Sequence, residues 1–110
     1  MGLPVVAFEE VEKIYPPDQY EMFAAGSFNK LNRVKIKMYD KAKSKGYKLC
    51  NYISSHAFVW HNATIGDNAF ILENNVIQHK VRIGNNVSLW SGNHIGHQTV
   101  IEDNVTIASH

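Results

Sequence analysis

The sequence predicts a parallel β-solenoid in its second half, preceded by a partial α/β domain. Ile, Val or Leu occupies ten consecutive positions spaced by six, a period that neither a helix nor a simple strand alternation produces. Blocks of eighteen residues also match, because the apolar residue of every third hexad is followed two positions later by His61, His79 or His97. The ten apolar positions are Ile53, Val59, Ile65, Ile71, Ile77, Ile83, Leu89, Ile95, Ile101 and Ile107. Such a repeat predicts coils of three hexads stacked around one apolar core.

The α/β domain is predicted over residues 1–52, and the solenoid, of about three coils, over residues 53–110. Within the first domain we expect strands at 3–6, 20–25 and 47–52 and a short helix at 8–15, ended by Pro16 and Pro17. A longer helix is expected to end at Gly46, with one apolar face made of Leu31, Val34, Met38 and Ala42.

Each hexad of the solenoid is expected to supply a short strand and a turn, with the Ile, Val or Leu side chain pointing inward. A small residue or Val two positions earlier is expected beside it at Ala57, Ala63, Ala69, Val81, Val87, Thr99 and Val105. The corners are expected at Asn68, Asn86 and Asn104. Asn tolerates a left-handed backbone and its amide can form a ladder from coil to coil.

Composition narrows the classes of partner. A formal charge of +1 gives no reason to expect nucleic acid or an anionic membrane, and no apolar run is long enough to span a bilayer. Cys50 is the only cysteine, so no internal disulfide forms and the cytoplasm is the default location. Basic residues bunch between residues 30 and 48, which we interpret as a solvated helix face rather than a phosphate site.

The six histidines allow three interpretations. His61, His79 and His97 are expected on one edge, with His56 and His110 in a second position of the repeat and His94 in a third. They could form a structural ladder, ligate a metal as neutral imidazoles, or include a single catalytic base.

The stretch from Ser91 to Asp103, with Asn93, His94 and His97 inside it, resembles the hexapeptide-repeat sugar acetyltransferases, in the branch acting on nucleotide-linked amino sugars and sialic acid. Gly2-Leu3-Pro4-Val5-Val6, Gly26 and Asn32-Arg33 are similar to the sugar-nucleotide domain of that branch.

The resemblance implies a left-handed parallel β-helix, a homotrimer, acetyl-CoA as donor, a sugar or sugar nucleotide as acceptor, and no metal. It implies His97 as general base, with His94 as second candidate, and Gly26, Asn32 and Arg33 as substrate-binding residues. A histidine suits this role because an imidazole exchanges protons near neutral pH.

Two alternatives remain open. Carbonic anhydrases of the left-handed β-helix class use similar histidine spacings, although Glu102 stands here where a third histidine ligand is needed. The other alternative is a non-catalytic structural or binding remnant. Relatives have a glycine-rich turn near their start and further coils at their end, so we expect this chain to be truncated at both ends.

Overall fold

The N-terminal part of the computed structural model is a small βαβ unit. The structure describes residues 5–24 and 33–108. A 3₁₀ turn at Phe8–Glu10 leads into helix α1 (Val11–Ile14). Strand β1 (Glu21–Met22) then pairs in parallel with β2 (Lys48–Leu49), and helix α2 (Arg33–Ser44) connects them. The predicted strand at 3–6 lies largely outside the described residues, and Val5 and Val6 are not in a strand.

The buried face of α2 differs from the predicted one. Ala42 is fully buried as expected, but Val34 is 47% exposed and Lys35 is buried instead. Leu31 lies outside the described residues. The helix ends before Gly46, whose φ of 92° favours glycine.

The predicted strand at 47–52 divides into two short strands that belong to different sheets. β2 stays with the βαβ unit, whereas β3 begins the solenoid. The solenoid strands, each of two residues, are β3 (Tyr52–Ile53), β4 (Phe58–Val59), β5 (Thr64–Ile65), β6 (Phe70–Ile71), β7 (Val76–Ile77), β8 (Arg82–Ile83), β9 (Ser88–Leu89), β10 (His94–Ile95), β11 (Val100–Ile101) and β12 (Thr106–Ile107).

These strands form three parallel sheets, and we name each sheet as one face of the solenoid. The first face contains β3, β6, β9 and β12, the second β4, β7 and β10, and the third β5, β8 and β11. Paired residues are eighteen apart, as Ile53 with Ile71 and Ile77 with Ile95. The chain thus contains the predicted parallel β-solenoid of about three coils, an architecture consistent with a left-handed β-helix.

The core consists of the inward side chains of the hexads. Ile71, Ile77 and Leu89 are fully buried, whereas Ile53 in the first coil is 38% exposed. Of the predicted small neighbours, Ala69, Val81 and Val87 are fully buried, and Ala57, Ala63 and Val105 are partly buried and pack against the core. Thr99, the remaining residue of this set, is exposed.

Asparagines also stand at this small-residue position, and the sequence did not predict their burial. Asn75 is fully buried and Asn93 is 8% exposed. The Oδ1 atom of Asn75 accepts a hydrogen bond from the backbone N–H of Asn93, 3.1 Å away. Side-chain amides therefore join two coils at this position.

The predicted corner ladder of asparagines is confirmed. Asn68, Asn86 and Asn104 have φ values of 53°, 60° and 66°, in the left-handed region. The Nδ2 atom of Asn68 donates to Oδ1 of Asn86 at 2.8 Å, and Asn86 donates in the same way to Asn104 at 2.7 Å. Asn68 also bonds both the backbone N–H and the carbonyl of Ala24. The ladder therefore extends from the solenoid to the end of the β1 segment.

Helix α2 lies against the first face and the neighbouring corner. Lys35 Nζ donates to the carbonyl oxygen of Asn86 at 2.8 Å and to Oγ of Ser88 at 2.6 Å. Tyr39 donates its hydroxyl to Asp67 at 2.6 Å, and Lys43 forms an ion pair with the same carboxylate. Polar contacts thus attach the helix to the solenoid. Neither helix of the described chain combines the length and the apolar character that crossing a bilayer requires.

Candidate functional site

The candidate site lies on the edge between the second and third faces. His61, His79 and His97 each follow a strand of the second face by two residues. Because those strands pair in register, the three histidines occupy equivalent positions in successive coils, as the repeat predicted. All three are exposed.

Two of these histidines contact neighbouring side chains. The Trp60 ring lies 5.5 Å from the His61 ring and 6.2 Å from the His79 ring, centroid to centroid. Nδ1 of His79 is also 3.1 Å from Nδ2 of Asn62. In the first two coils, histidine and tryptophan rings therefore lie against one another along this edge.

His97, in the third coil, differs from the other two. Among the described residues, its ring nitrogens have no hydrogen-bond partner and its ring no aromatic partner. Gln98, which follows it, adopts a left-handed φ of 63° and donates its backbone N–H to the carbonyl of His79 at 2.9 Å. The backbone after His97 is thus fixed, while its imidazole is exposed and unpartnered within residues 5–24 and 33–108.

His94 lies on the outer surface of the second face. It pairs in register with Val76, and its neighbour Ile95 points into the core with 7% exposure. The side-chain nitrogen of Gln78 is 3.1 Å from Nε2 of His94. An amide N–H donated to Nε2 would leave the imidazole proton on Nδ1.

Of the three predicted substrate-binding residues, the structure describes only Arg33. Gly26 and Asn32 lie outside the described residues. Arg33 is the first residue of α2 and is exposed. Their role stays a prediction.

A groove of about 390 Å³ lies next to the histidine edge, on the third face. The described residues that line it are Asn62, Thr64, Lys80, Arg82 and Gln98. Sequence reasoning missed this groove because it placed the basic residues on the N-terminal helix. The signal was present in the repeat, since 62, 80 and 98 are spaced by eighteen, as are 64 and 82.

A metal centre was the second interpretation of the histidines. Within residues 5–24 and 33–108, no three His, Cys, Asp or Glu side chains lie together as a metal site requires. His110, one of the histidines considered, lies outside these ranges.

The repeat matches a known family model. Residues 62–97 and 80–110 match the bacterial transferase hexapeptide (six repeats) family. No curated protein sequence matches the chain.

Two solved structures have a similar fold. One is a histidine-to-asparagine mutant of perosamine N-acetyltransferase from Caulobacter crescentus, in complex with CoA and GDP-perosamine, with 19% sequence identity and a TM-score of 0.59. The match covers 98% of this chain and 65% of that one. The other is a histidine-to-alanine mutant of GDP-perosamine N-acetyl transferase from the same organism, also with CoA and GDP-perosamine. It has 21% identity and a TM-score of 0.51, over 70% of this chain and 34% of that one.

This chain therefore spans from about a third to two thirds of the length of the two structures it matches. At these identities the likeness concerns the fold, and the family model independently describes the repeat. The bacterial transferase hexapeptide model thus matches residues 62–110, which contain most of the solenoid.

Proposed function

We propose that this chain transfers an acetyl group from acetyl-CoA to an amino or hydroxyl group of a nucleotide-linked sugar, with His97 as general base. The observation that carries the proposal is the exposed imidazole of His97, which has no hydrogen-bond or ring partner among the described residues, on the edge of a solenoid that matches a transferase hexapeptide model. A general base must reach the proton of its substrate, so a free ring nitrogen is required. Both transferases of similar fold are described with CoA and GDP-perosamine and are histidine mutants, which supports the same substrate classes and a histidine here.

In the proposed reaction, a nitrogen or oxygen of the sugar attacks the carbonyl carbon of the acetyl thioester. His97 accepts the proton from the attacking atom as the new C–N or C–O bond forms. The C–S bond then breaks, and the imidazolium returns the proton to the sulfur of CoA. Acetyl-CoA and the sugar are consumed, and the acetylated sugar and CoA are released.

The geometry favours His97 over His94 for this role. Nε2 of His94 already has the side-chain amide of Gln78 at 3.1 Å, whereas His97 has no such contact among the described residues. A substrate would have to displace Gln78 before it reached Nε2 of His94.

The proposal includes a homotrimer. The second face carries two exposed aromatic side chains. Phe58 is 49% exposed and Trp60 is 36% exposed, and the centroids of their rings are 5.8 Å apart. Exposed apolar patches commonly mark protein–protein contacts. Helix α2 covers part of the first face through Lys35, whereas no such element covers Phe58 and Trp60 in the described part of the chain.

The test is turnover of acetyl-CoA with a panel of nucleotide-linked amino sugars, with the acetylated product measured by mass spectrometry. His97→Asn is expected to lower kcat by about 10²–10⁴-fold with little change in KM, the usual contribution of a general base. His61→Asn is the matched control, because His61 is exposed in the equivalent position two coils earlier. It is expected to keep the wild-type rate.

Three results would contradict this assignment. Equal losses in His97→Asn and His61→Asn would mean that the edge is structural. A loss confined to His94→Asn would move the base to His94. Absence of CoA binding and of product in the wild-type chain would favour a non-catalytic role.

A further inference from the structure

The groove on the third face has an unusual balance of charge. Lys80 and Arg82 both line it, and no Asp or Glu is among the described residues around it. Within the described part of the chain, the ion pairs join Lys43 to Asp67 and Lys45 to Glu12, so neither groove cation has a carboxylate partner. Two unpaired cations in one concave surface create a region of positive potential.

The rest of the groove can donate hydrogen bonds to the same ligand. Thr64 contributes a hydroxyl, and Asn62 and Gln98 contribute side-chain amides. Its volume of about 390 Å³ is within the range of small-molecule sites. The lining is thus polar and cationic, which suits a compact anion with several acceptor oxygens.

The backbone that presents these groups is held in place by the neighbouring coils. Lys80 has a left-handed φ of 58°, and its backbone N–H donates to Oδ1 of Asn62 at 2.9 Å. Arg82 pairs in register with Thr64 below it and with Val100 above it. The backbone of these two cations is therefore already fixed before a ligand binds.

A second groove shows on which side of Arg82 an anion would lie. This groove, of about 510 Å³, shares Thr64 and Arg82 with the first but is also lined by Glu102 and Asp103. Two carboxylates repel an anion, so the favourable position is toward Lys80. That position is next to the histidine edge, because Gln98 directly follows His97 in the chain and Asn62 contacts His79.

We propose that Lys80 and Arg82 bind a diphosphate group in this groove, beside His97. The diphosphate chemistry follows from the two cations and the neutral donors. Its assignment to a substrate rests on the proposed function, since nucleotide-linked sugars and CoA both contain a diphosphate. Binding here would place one end of a substrate near the imidazole that is proposed to act on it.

The experiment is calorimetric titration of the full chain with inorganic diphosphate. Lys80→Gln and Arg82→Gln are each expected to raise the Kd by about tenfold or more, as loss of a charged hydrogen bond does. Lys37→Gln is the matched control, because Lys37 is an exposed cation on α2, and it is expected to leave the Kd unchanged. No binding by the wild type, or equal weakening in the Lys37 variant, would overturn the proposal.

The source of the diphosphate is found by repeating the titrations with a nucleoside diphosphate and with CoA. If Arg82→Gln weakens the binding of only one of these two ligands, the proposal is supported and the groove is assigned to that substrate. If Arg82→Gln weakens the binding of neither ligand, the proposal is overturned. His97→Asn separates this inference from the catalytic one, since it is expected to lower the rate of acetyl transfer while diphosphate still binds. If diphosphate binds and no acetyl transfer occurs in the wild type, the groove stands and the catalytic proposal fails.

Discussion

At the scale of single residues, two corner glycines make room for side chains of the next coil. A Cβ atom at Gly84 would overlap Oδ1 of Asp103 and lie 2.9 Å from its backbone nitrogen. That same Oδ1 accepts a hydrogen bond from the backbone N–H of Asn85 at 2.7 Å. Gly66 has the equivalent relation to Asn85 one coil below. Glycine is required at these corners for space.

Gly84→Ala is therefore expected to lower the free energy of unfolding by about 1–3 kcal/mol, because the clash involves backbone that cannot move freely. Chemical denaturation followed by tryptophan fluorescence measures it, since Trp60 and Trp90 are both in the solenoid. Gly96→Ala is the matched control. A Cβ there would meet only Oγ1 of Thr99 at 3.9 Å, so its stability should remain close to wild type. Equal effects of the two substitutions would contradict the steric explanation.

At the scale of elements, helix α2 is attached to the solenoid by a buried lysine. Lys35 is 4% exposed, and the atoms that receive its hydrogen bonds are a carbonyl and a hydroxyl, neither of them charged. Burial lowers the pKa of Lys35 from its ordinary value of 10.5 to about 8. The folded protein thus holds this proton less tightly than the unfolded chain does.

The free energy of unfolding is accordingly expected to increase as the pH rises above about 8. Between the folded pKa of about 8 and the ordinary 10.5, the unfolded chain binds the proton that the folded chain has released. Over this interval the free energy of unfolding rises by at most about 1.4 kcal/mol per pH unit. Denaturant unfolding between pH 7.5 and 9.5 measures it. This interval lies below the ordinary phenol pKa of 10.0, above which the unfolded chain loses a proton that folded Tyr39 keeps, because burial and Asp67 raise its pKa.

Lys35→Met should remove this pH-dependent gain, whereas Lys37→Met on the exposed side of the same helix should keep it. A slope that persists in Lys35→Met would assign the effect to other groups.

The same helix shows why sequence reasoning failed in part. Apolar periodicity predicted its existence and the burial of Ala42, but it counts lysine as polar and valine as apolar. It therefore placed Val34 inside and Lys35 outside, the reverse of the structure. Lys35 is buried because the first face supplies acceptors from Asn86 and Ser88, more than fifty positions away, and only the folded chain brings them together.

The solenoid and its histidines were more predictable, because a repeat converts spacing directly into position. The left-handed corners at Asn68, Asn86 and Asn104 and the common edge of His61, His79 and His97 follow from the period of eighteen. The groove was not predicted, because the residues that line it come from three successive coils and lie far apart in the sequence. Comparing residues eighteen apart on the outer surface would have revealed it.

At the scale of the whole molecule, the proposed trimer requires a surface that other copies cover. The exposed aromatic rings of Phe58 and Trp60 on the second face are the candidate contact. Sedimentation equilibrium is expected to give three times the chain mass of 12.5 kDa. Phe58→Asp should lower this mass, since it places a charge in the contact. Val34→Asp, at a similarly exposed apolar residue on α2, should leave it unchanged. A monomer in the wild type would remove the trimer from the proposal.

The corner asparagines have a consequence for how the coils find their alignment. The ten inward residues are nearly interchangeable, so a coil displaced by six residues would still bury an apolar side chain at each position. Such a displacement would bring Lys80 or Gly92 beside Asn68, and both already tolerate a positive φ, at 58° and 81°. Neither can continue a chain of amides. The apolar core therefore stabilises the stack of coils without fixing their alignment. The row of corner asparagines selects one alignment among the several that the core would accept.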